Sequence, residues 1–196
     1  LLDNSSDIRS DSMVRELDRD LYDQDGIILD QIGASAAGQL PKGFDPSSLY
    51  PARQHPKALQ MTIFGMGDAL GQLGIDWKVI QEKIAPDEVA VFSGAAIGQL
   101  DSFGFGGLMQ SRLKGSRASS KNLALGLVEM SADFINAYIL GSVGRTGHVV
   151  GACATFLYNL QMGKEAIESG SARFVVVGGA EAPITPEIVD GFYAMS

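Results

Sequence analysis

The apolar positions change their period along the chain. Between Lys57 and Gly74, Leu59, Ile63, Met66 and Leu70 fall at i, i+4, i+7 and i+11, and Met61, Phe64 and Leu73 widen the stripe. That spacing predicts an amphipathic helix ending near Gly74. Pro86-Asp87 leads into a short β-branched run at 88–92, closed by Ser93-Gly94, which reads as a buried strand. A second helix is predicted from Ser131, as its N-cap, to about Leu140, with Phe134, Ile135, Tyr138 and Ile139 at helical spacing and Gly141 and Gly144 beyond it. Residues 148–152 read as a strand. Residues 154–169 read as a helix with Leu157, Leu160 and Ile167 inward and Gly170 just past its end, and 174–177 as a continuous apolar strand. Strand, helix and strand within about 30 residues make a βαβ unit, with parallel pairing and a right-handed crossover. The fold class is therefore α/β, in layers.

The rest of the chain is less regular. Residues 1–30 are the most polar, carrying Asp3, Asp7, Asp11, Glu16, Asp18, Asp20, Asp23 and Asp25, with Leu17 and Leu21 enough for a short helix but not for a core. Residues 33–56, with Gly33, Gly38, Pro41, Gly43, Pro46, Pro51 and Pro56, read as a connector with turns. Residues 94–120 hold glycines at 94, 98, 104, 106, 107 and 115 and are too irregular to assign an element.

Composition narrows the class. The chain has 196 residues, 45% hydrophobic and 19% charged, which fits one well-buried domain or two and excludes a disordered chain. A net charge of −8 argues against a nucleic-acid surface. The single cysteine cannot form an internal disulfide, so a reducing compartment, the cytoplasm, is expected. No apolar stretch approaches the roughly 20 residues of a membrane span. The start, Leu-Leu-Asp-Asn-Ser-Ser, has no basic region before an apolar core, and the missing initiator methionine suggests a fragment.

Cys153 is the residue with most chemical promise. A thiol at a strand-to-helix junction meets unpaired helix N–H groups and about half a positive charge, which favour a thiolate and can stabilise an oxyanion. The small neighbours Gly151, Ala152 and Ala154 allow a sharp elbow, and the Cys153 amide could serve as an oxyanion donor. The competing reading is a small inert core residue. Gly94–Gly98 is a poor phosphate cradle, with no Lys-Ser/Thr and no G-x-G-x-x-G after a strand. Glu181 reads as a buried structural carboxylate that needs a partner. His148 reads as a satisfied or partly exposed histidine and His55 as a connector residue.

Gly-Ala-Cys-Ala-Thr at 151–155, followed by a helix and then Ser-Gly-Ser-Ala-Arg-Phe-Val-Val-Val-Gly-Gly-Ala-Glu-Ala at 169–182, resembles the active-site region of the β-ketoacyl-ACP synthases. The resemblance covers residues 38–196, leaving 1–37 as a polar N-terminal extension. Phe105–Gly115 and Asp133–Tyr138 further resemble a bacterial branch that starts fatty-acid chains. The resemblance implies the N-terminal half of a thiolase-like α/β/α fold with a mostly parallel mixed sheet, working as a homodimer. It implies that Cys153 takes an acyl group as a thioester, and that malonyl-ACP loses carbon dioxide and attacks it. The acyl groups would arrive on the phosphopantetheine of acyl carrier protein or on CoA, with no other cofactor and no metal. Ile97 falls at a chain-length position of the acyl pocket, Thr155 follows the nucleophile, and Phe192 falls where the family places a phenylalanine beside it. For Ile97 and Phe192 ordinary core packing is the alternative.

In this family the two catalytic histidines, a nearby lysine and the second oxyanion donor belong to a C-terminal half. Neither His55 nor His148 matches those positions, and the glycines at 104–107 lie in the wrong half to supply the donor. The chain alone is thus expected to be inactive and poorly soluble. A polyketide-type ketosynthase, a thiolase and a non-catalytic half-domain with a scaffolding role are the alternatives.

Overall fold

A computed structural model describes residues 14–16, 36–38, 40–52, 54–182 and 184–195. These fall into two compact units, residues 46–183 in one and residues 1–45 with 184–196 in the other. In the smaller unit, β1 (Val14–Glu16) pairs antiparallel with β2 (Ala36–Gly38), Val14 opposite Gly38. The short strand β2 falls within the segment expected to be only connector. The short helix expected around Leu17 and Leu21 lies outside the described residues, as does most of the polar stretch 1–37.

The larger unit opens with a 3-10 turn at Pro46–Leu49 and then α1 (Lys57–Gln72). Its first-turn amides are capped from a distance. The Asp101 carboxylate accepts from the Lys57 amide at 2.6 Å, and the Gln99 side-chain oxygen accepts from the Leu59 amide at 3.2 Å. This does the work of an N-cap, since Pro56 offers no side-chain acceptor. Helix α1 ends before Gly74, whose φ of +67° suits glycine. His55, in the connector before α1, bonds the Tyr50 hydroxyl at 3.0 Å and stands edge-on to Phe134 with ring centroids 5.0 Å apart. A short helix, α2 (Trp77–Gln81), has Asp76 as its N-cap.

Strand β3 (Val89–Ser93) is the centre of the sheet and is buried along its whole length. Its alternate residues divide the core. Val89 and Val91 face Met66, Ala132, Ile135 and Leu140, and Ala90 and Phe92 face Ala166 and Ala172. A strand buried on both faces is the mark of a parallel sheet covered by helices on both sides.

The glycine-rich region 94–120, where no element was expected, holds α3 (Phe105–Gln110), and α4 (Ser120–Gly126) begins at its end. Its glycines mislead because they serve close packing. A Cβ at Gly104, Gly106 or Gly107 would collide with the carbonyls of Gln99, Leu100 or Ser102 respectively. Next comes α5 (Met130–Phe134), continued by a π-helical turn at Ile135–Ile139. Ser131 is not its N-cap. It is buried inside the helix with its hydroxyl 3.4 Å from that of Ser93, and Glu129 stands at the N-cap without a side-chain bond. The π turn lets Asn136 donate to the Gly144 carbonyl and its own carbonyl accept from the Ser142 amide at 2.9 Å.

Strand β4 is only Thr146–Gly147, two residues earlier and shorter than the strand expected at 148–152. Beyond Gly147 the backbone turns to a side chain: the Val149 amide donates to Asn159 Oδ1 at 3.1 Å instead of joining the ladder. Helix α6 (Thr155–Glu168) follows, then β5 (Phe174–Gly178). The order is β4-β3-β5, all parallel, so β5 pairs with β3 and not with the strand that precedes α6. The βαβ crossover therefore spans one intervening strand. Helix α7 (Pro186–Tyr193) belongs to the smaller unit and starts with proline at its first position.

The face that α6 turns inward differs from the expected one. Thr155, Asn159, Gly163 and Ala166 are buried, at i, i+4, i+8 and i+11, whereas Leu157, Leu160 and Ile167 are exposed by 63%, 48% and 47%. Close approach to the sheet requires the small stripe, since a Cβ at Gly163 would stand 2.7 Å from Val177 Cγ2 and 3.1 Å from Val175 Cγ1. Among the described residues, no helix is long and apolar enough to cross a membrane.

Candidate active site

Between β4 and α6 the chain makes a tight elbow. Residues Ala152–Ala154 form a 3-10 turn that runs into α6, and the Ala154 amide donates to the Gly151 carbonyl at 2.9 Å. Ala152 has φ of +48°, the one positive φ among the described non-glycine residues. Left-handed backbone costs an L-residue roughly 1–2 kcal/mol, and such strain persists only where surrounding contacts over-determine it.

Two contacts fix this elbow. The Thr155 hydroxyl accepts from the Gly151 amide at 3.0 Å and donates to the Ala152 carbonyl at 2.7 Å, so it ties both sides of the turn. The Tyr158 ring covers Gly151, where a Cβ would collide with it. Cys153 stands at the apex with its side chain exposed, and its amide takes no part in these bonds. The first amides of α6 follow directly, so the thiol lies at the positive end of a 14-residue helix.

A half-buried polar cluster centred on Asn159 lies beneath the elbow. Asn159, fully buried, accepts from the Val149 amide and directs its amide nitrogen to the Gly178 carbonyl at 3.4 Å and to His148 Nδ1 at 3.2 Å. His148 Nε2 lies 2.9 Å from the Ala95 carbonyl. Gly94 is necessary here, because a Cβ on it would collide with the imidazole. Asn159 was not singled out in the sequence. The signal that marks it is its place on the stripe of small and polar residues, not on the stripe of large apolar ones.

The other expected site residues are distributed as follows. Ile97 is half-buried in the loop after β3, and its amide donates to the Glu181 carboxylate at 3.1 Å, as does the Ala96 amide to the same oxygen. Glu181 thus has backbone partners, but its side chain is exposed, not buried as expected. Thr155 is buried, with its hydroxyl engaged by the elbow. Phe192 lies on α7 in the smaller unit and is exposed. Among the described residues no group of His, Cys, Asp and Glu could hold a metal ion.

The β-ketoacyl synthase N-terminal domain model matches residues 1–196. The chain is 60% identical over 160 residues to beta-ketoacyl-[acyl-carrier-protein] synthase FabY of Pseudomonas aeruginosa, covering 82% of this chain and 25% of that protein. The crystal structure of that ketosynthase superposes with a TM-score of 0.80 over 82% of this chain. A 3-oxoacyl-[acyl-carrier-protein] synthase 2 of Staphylococcus aureus is 30% identical over 143 residues, 73% of this chain and 34% of its own length. The chain therefore spans about a quarter to a third of the length of these relatives. With its parallel α/β sheet and its match across the domain, the chain belongs to the β-ketoacyl synthase family, corresponding to that family's N-terminal domain.

Proposed function

We propose that this chain supplies the nucleophile of a β-ketoacyl-ACP synthase acting in fatty-acid biosynthesis. The observation that carries the reading is Cys153, exposed at the apex of a strained elbow at the N-terminus of α6. Relatives named as beta-ketoacyl-[acyl-carrier-protein] synthase and 3-oxoacyl-[acyl-carrier-protein] synthase 2 support it.

In the proposed reaction the Cys153 thiolate attacks the carbonyl of an acyl thioester carried on acyl carrier protein or CoA. The carrier thiolate leaves and takes up a proton, and the acyl group remains as a thioester on Cys153. The Cys153 amide serves as one donor to the tetrahedral oxyanion, where a single well-placed donor contributes roughly 3–4 kcal/mol. Malonyl-ACP then loses carbon dioxide, and the resulting enolate carbon attacks the Cys153 thioester. A carbon–carbon bond forms, the carbon–sulfur bond breaks, and the cysteine returns as thiolate. The chemistry resides in thioesters, so no further cofactor enters it.

Ile97, Phe192 and Thr155 are kept as substrate-binding residues in this reading, and Thr155 also holds the nucleophile's turn. Histidine and lysine groups for decarboxylation would come from sequence outside these 196 residues, and the chain by itself is expected to be inactive. A homodimer in the cytoplasm is part of the same reading.

The test is mass spectrometry of the complete polypeptide encoded by the gene after incubation with acyl-CoA or acyl-ACP. One acyl adduct on the Cys153 peptide, absent in Cys153→Ala, is the expected result. An adduct-free Cys153, or full condensing activity in Cys153→Ala, would overturn the assignment.

A further inference from the structure

The cluster beneath the elbow is determined by two backbone groups of opposite kind. The Val149 amide is a donor and requires Asn159 Oδ1, and the Gly178 carbonyl is an acceptor and requires Asn159 Nδ2. The orientation of the Asn159 amide is thereby fixed. Its remaining N–H points at His148 Nδ1, which must accept and so carries no proton. The opposite ring nitrogen, Nε2, faces the Ala95 carbonyl and must donate. One protonation pattern, the neutral Nε2–H tautomer, satisfies every partner. The Nδ1–H tautomer would set two donors against each other and leave a carbonyl facing a lone pair.

From this logic we propose that His148, locked as its Nε2–H tautomer by Asn159, is a positioning residue for Cys153. It bonds the loop after β3 at Ala95, and through Asn159 it is linked both to the end of β5 at Gly178 and to Val149 in the segment that enters the elbow. Asn159 lies on the same helix that begins at the elbow, with Thr155, which holds the turn, one helical turn before it. The strained φ at Ala152 needs such support from outside the turn. His148 bonds no atom of Cys153, so its effect on the nucleophile is exerted through geometry, and small misplacements of a reacting atom carry large rate penalties.

The inference rests on Cys153 being the nucleophile, and the experiment separates the two claims. In the complete polypeptide encoded by the gene, acyl transfer to Cys153 is measured at saturating and limiting acyl donor, with Cys153→Ala as reference and active thiol counted by iodoacetamide. His148→Leu is expected to lower kcat by about 10- to 100-fold with KM unchanged. His148→Gln, whose amide can donate to Ala95 and accept from Asn159, is expected to restore most of it. Nitrogen-15 NMR of the wild-type imidazole is expected to show the Nε2–H tautomer, and this measurement stands even if His148→Leu fails to fold.

Unchanged kcat in His148→Leu with an inactive Cys153→Ala overturns the positioning role and leaves the nucleophile intact. Loss of activity matched by loss of countable thiol, with no rescue by glutamine, also overturns it, since that is the behaviour of a merely structural residue. An Nδ1–H tautomer overturns it directly. Transfer that survives in Cys153→Ala defeats the assignment of the nucleophile instead.

Discussion

The ring of Tyr158 covers Gly151 so closely that no Cβ fits between them. The residue that opens the Cys153 elbow is thus sterically defined by a side chain of the helix that the elbow begins. Gly151→Ala should destabilise the larger unit by roughly 1–3 kcal/mol, the usual cost of overpacking. Adding Tyr158→Ala should recover part of that loss, making the pair non-additive. Urea denaturation of the single and double variants measures this, and strict additivity would show that the contact does not set the turn.

Glu181 holds the loop after β3 by accepting from the Ala96 and Ile97 amides. Glu181→Ala should speed amide hydrogen exchange at those two residues while leaving exchange in β3 unchanged. Glu181→Gln keeps an acceptor but loses the charge assistance, so its exchange rates should fall in between. Equal protection in all three proteins would remove the carboxylate from this role.

Phe92 and Leu157 provide a contrast in burial. Phe92 is wholly buried in the cluster with Ala90, Ala166 and Ala172, and Leu157 is turned outward on α6. Phe92→Ala should cost about 3–5 kcal/mol, and Leu157→Ala should stay within about 0.5 kcal/mol of the parent. Chemical denaturation of the complete polypeptide encoded by the gene distinguishes them. A large loss for Leu157→Ala would mean that its outward face is covered in solution.

Burial pushes the His55 imidazole below its usual pKa and the Tyr50 phenol above its usual one. For His55 the folded state favours the neutral ring, so stability is held above the unfolded value near 6.5. It is lost as the pH falls from there through the lowered value. For Tyr50 the folded state favours the protonated phenol, so stability is held below about 10 and lost as the pH rises beyond it. Melting temperatures of His55→Gln between pH 7.5 and 5 should decline less than those of the parent, and Tyr50→Phe should flatten the alkaline limb. Parallel curves would show that neither group contributes.

Much of the fold was legible because backbone-level signals are local. Helix α1, strands β3 and β5 and the extent of α6 follow from apolar period and from Gly74 and Gly170, both at positive φ. The elbow around Cys153 was legible for a similar reason, since the small residues Gly151, Ala152 and Ala154 around it, between a strand and a helix, leave few other conformations. Which way α6 faces was not legible. Its larger side chains, Leu157 and Leu160, carry the stronger apolar signal, yet close packing on Val175 and Val177 selected the stripe through Gly163.

What the sequence determined by itself was the setting of Cys153: a lone thiol, small neighbours, and a helix beginning directly after it. The tertiary structure alone decided the pairing of β5 with β3, the early end of β4, and the His148–Asn159 cluster. Each depends on partners distant in sequence, such as Ala95 and Gly178, whose approach no local period encodes. Hydrogen-bond complementarity at those distant partners, not residue preference, set the place of the His148 ring.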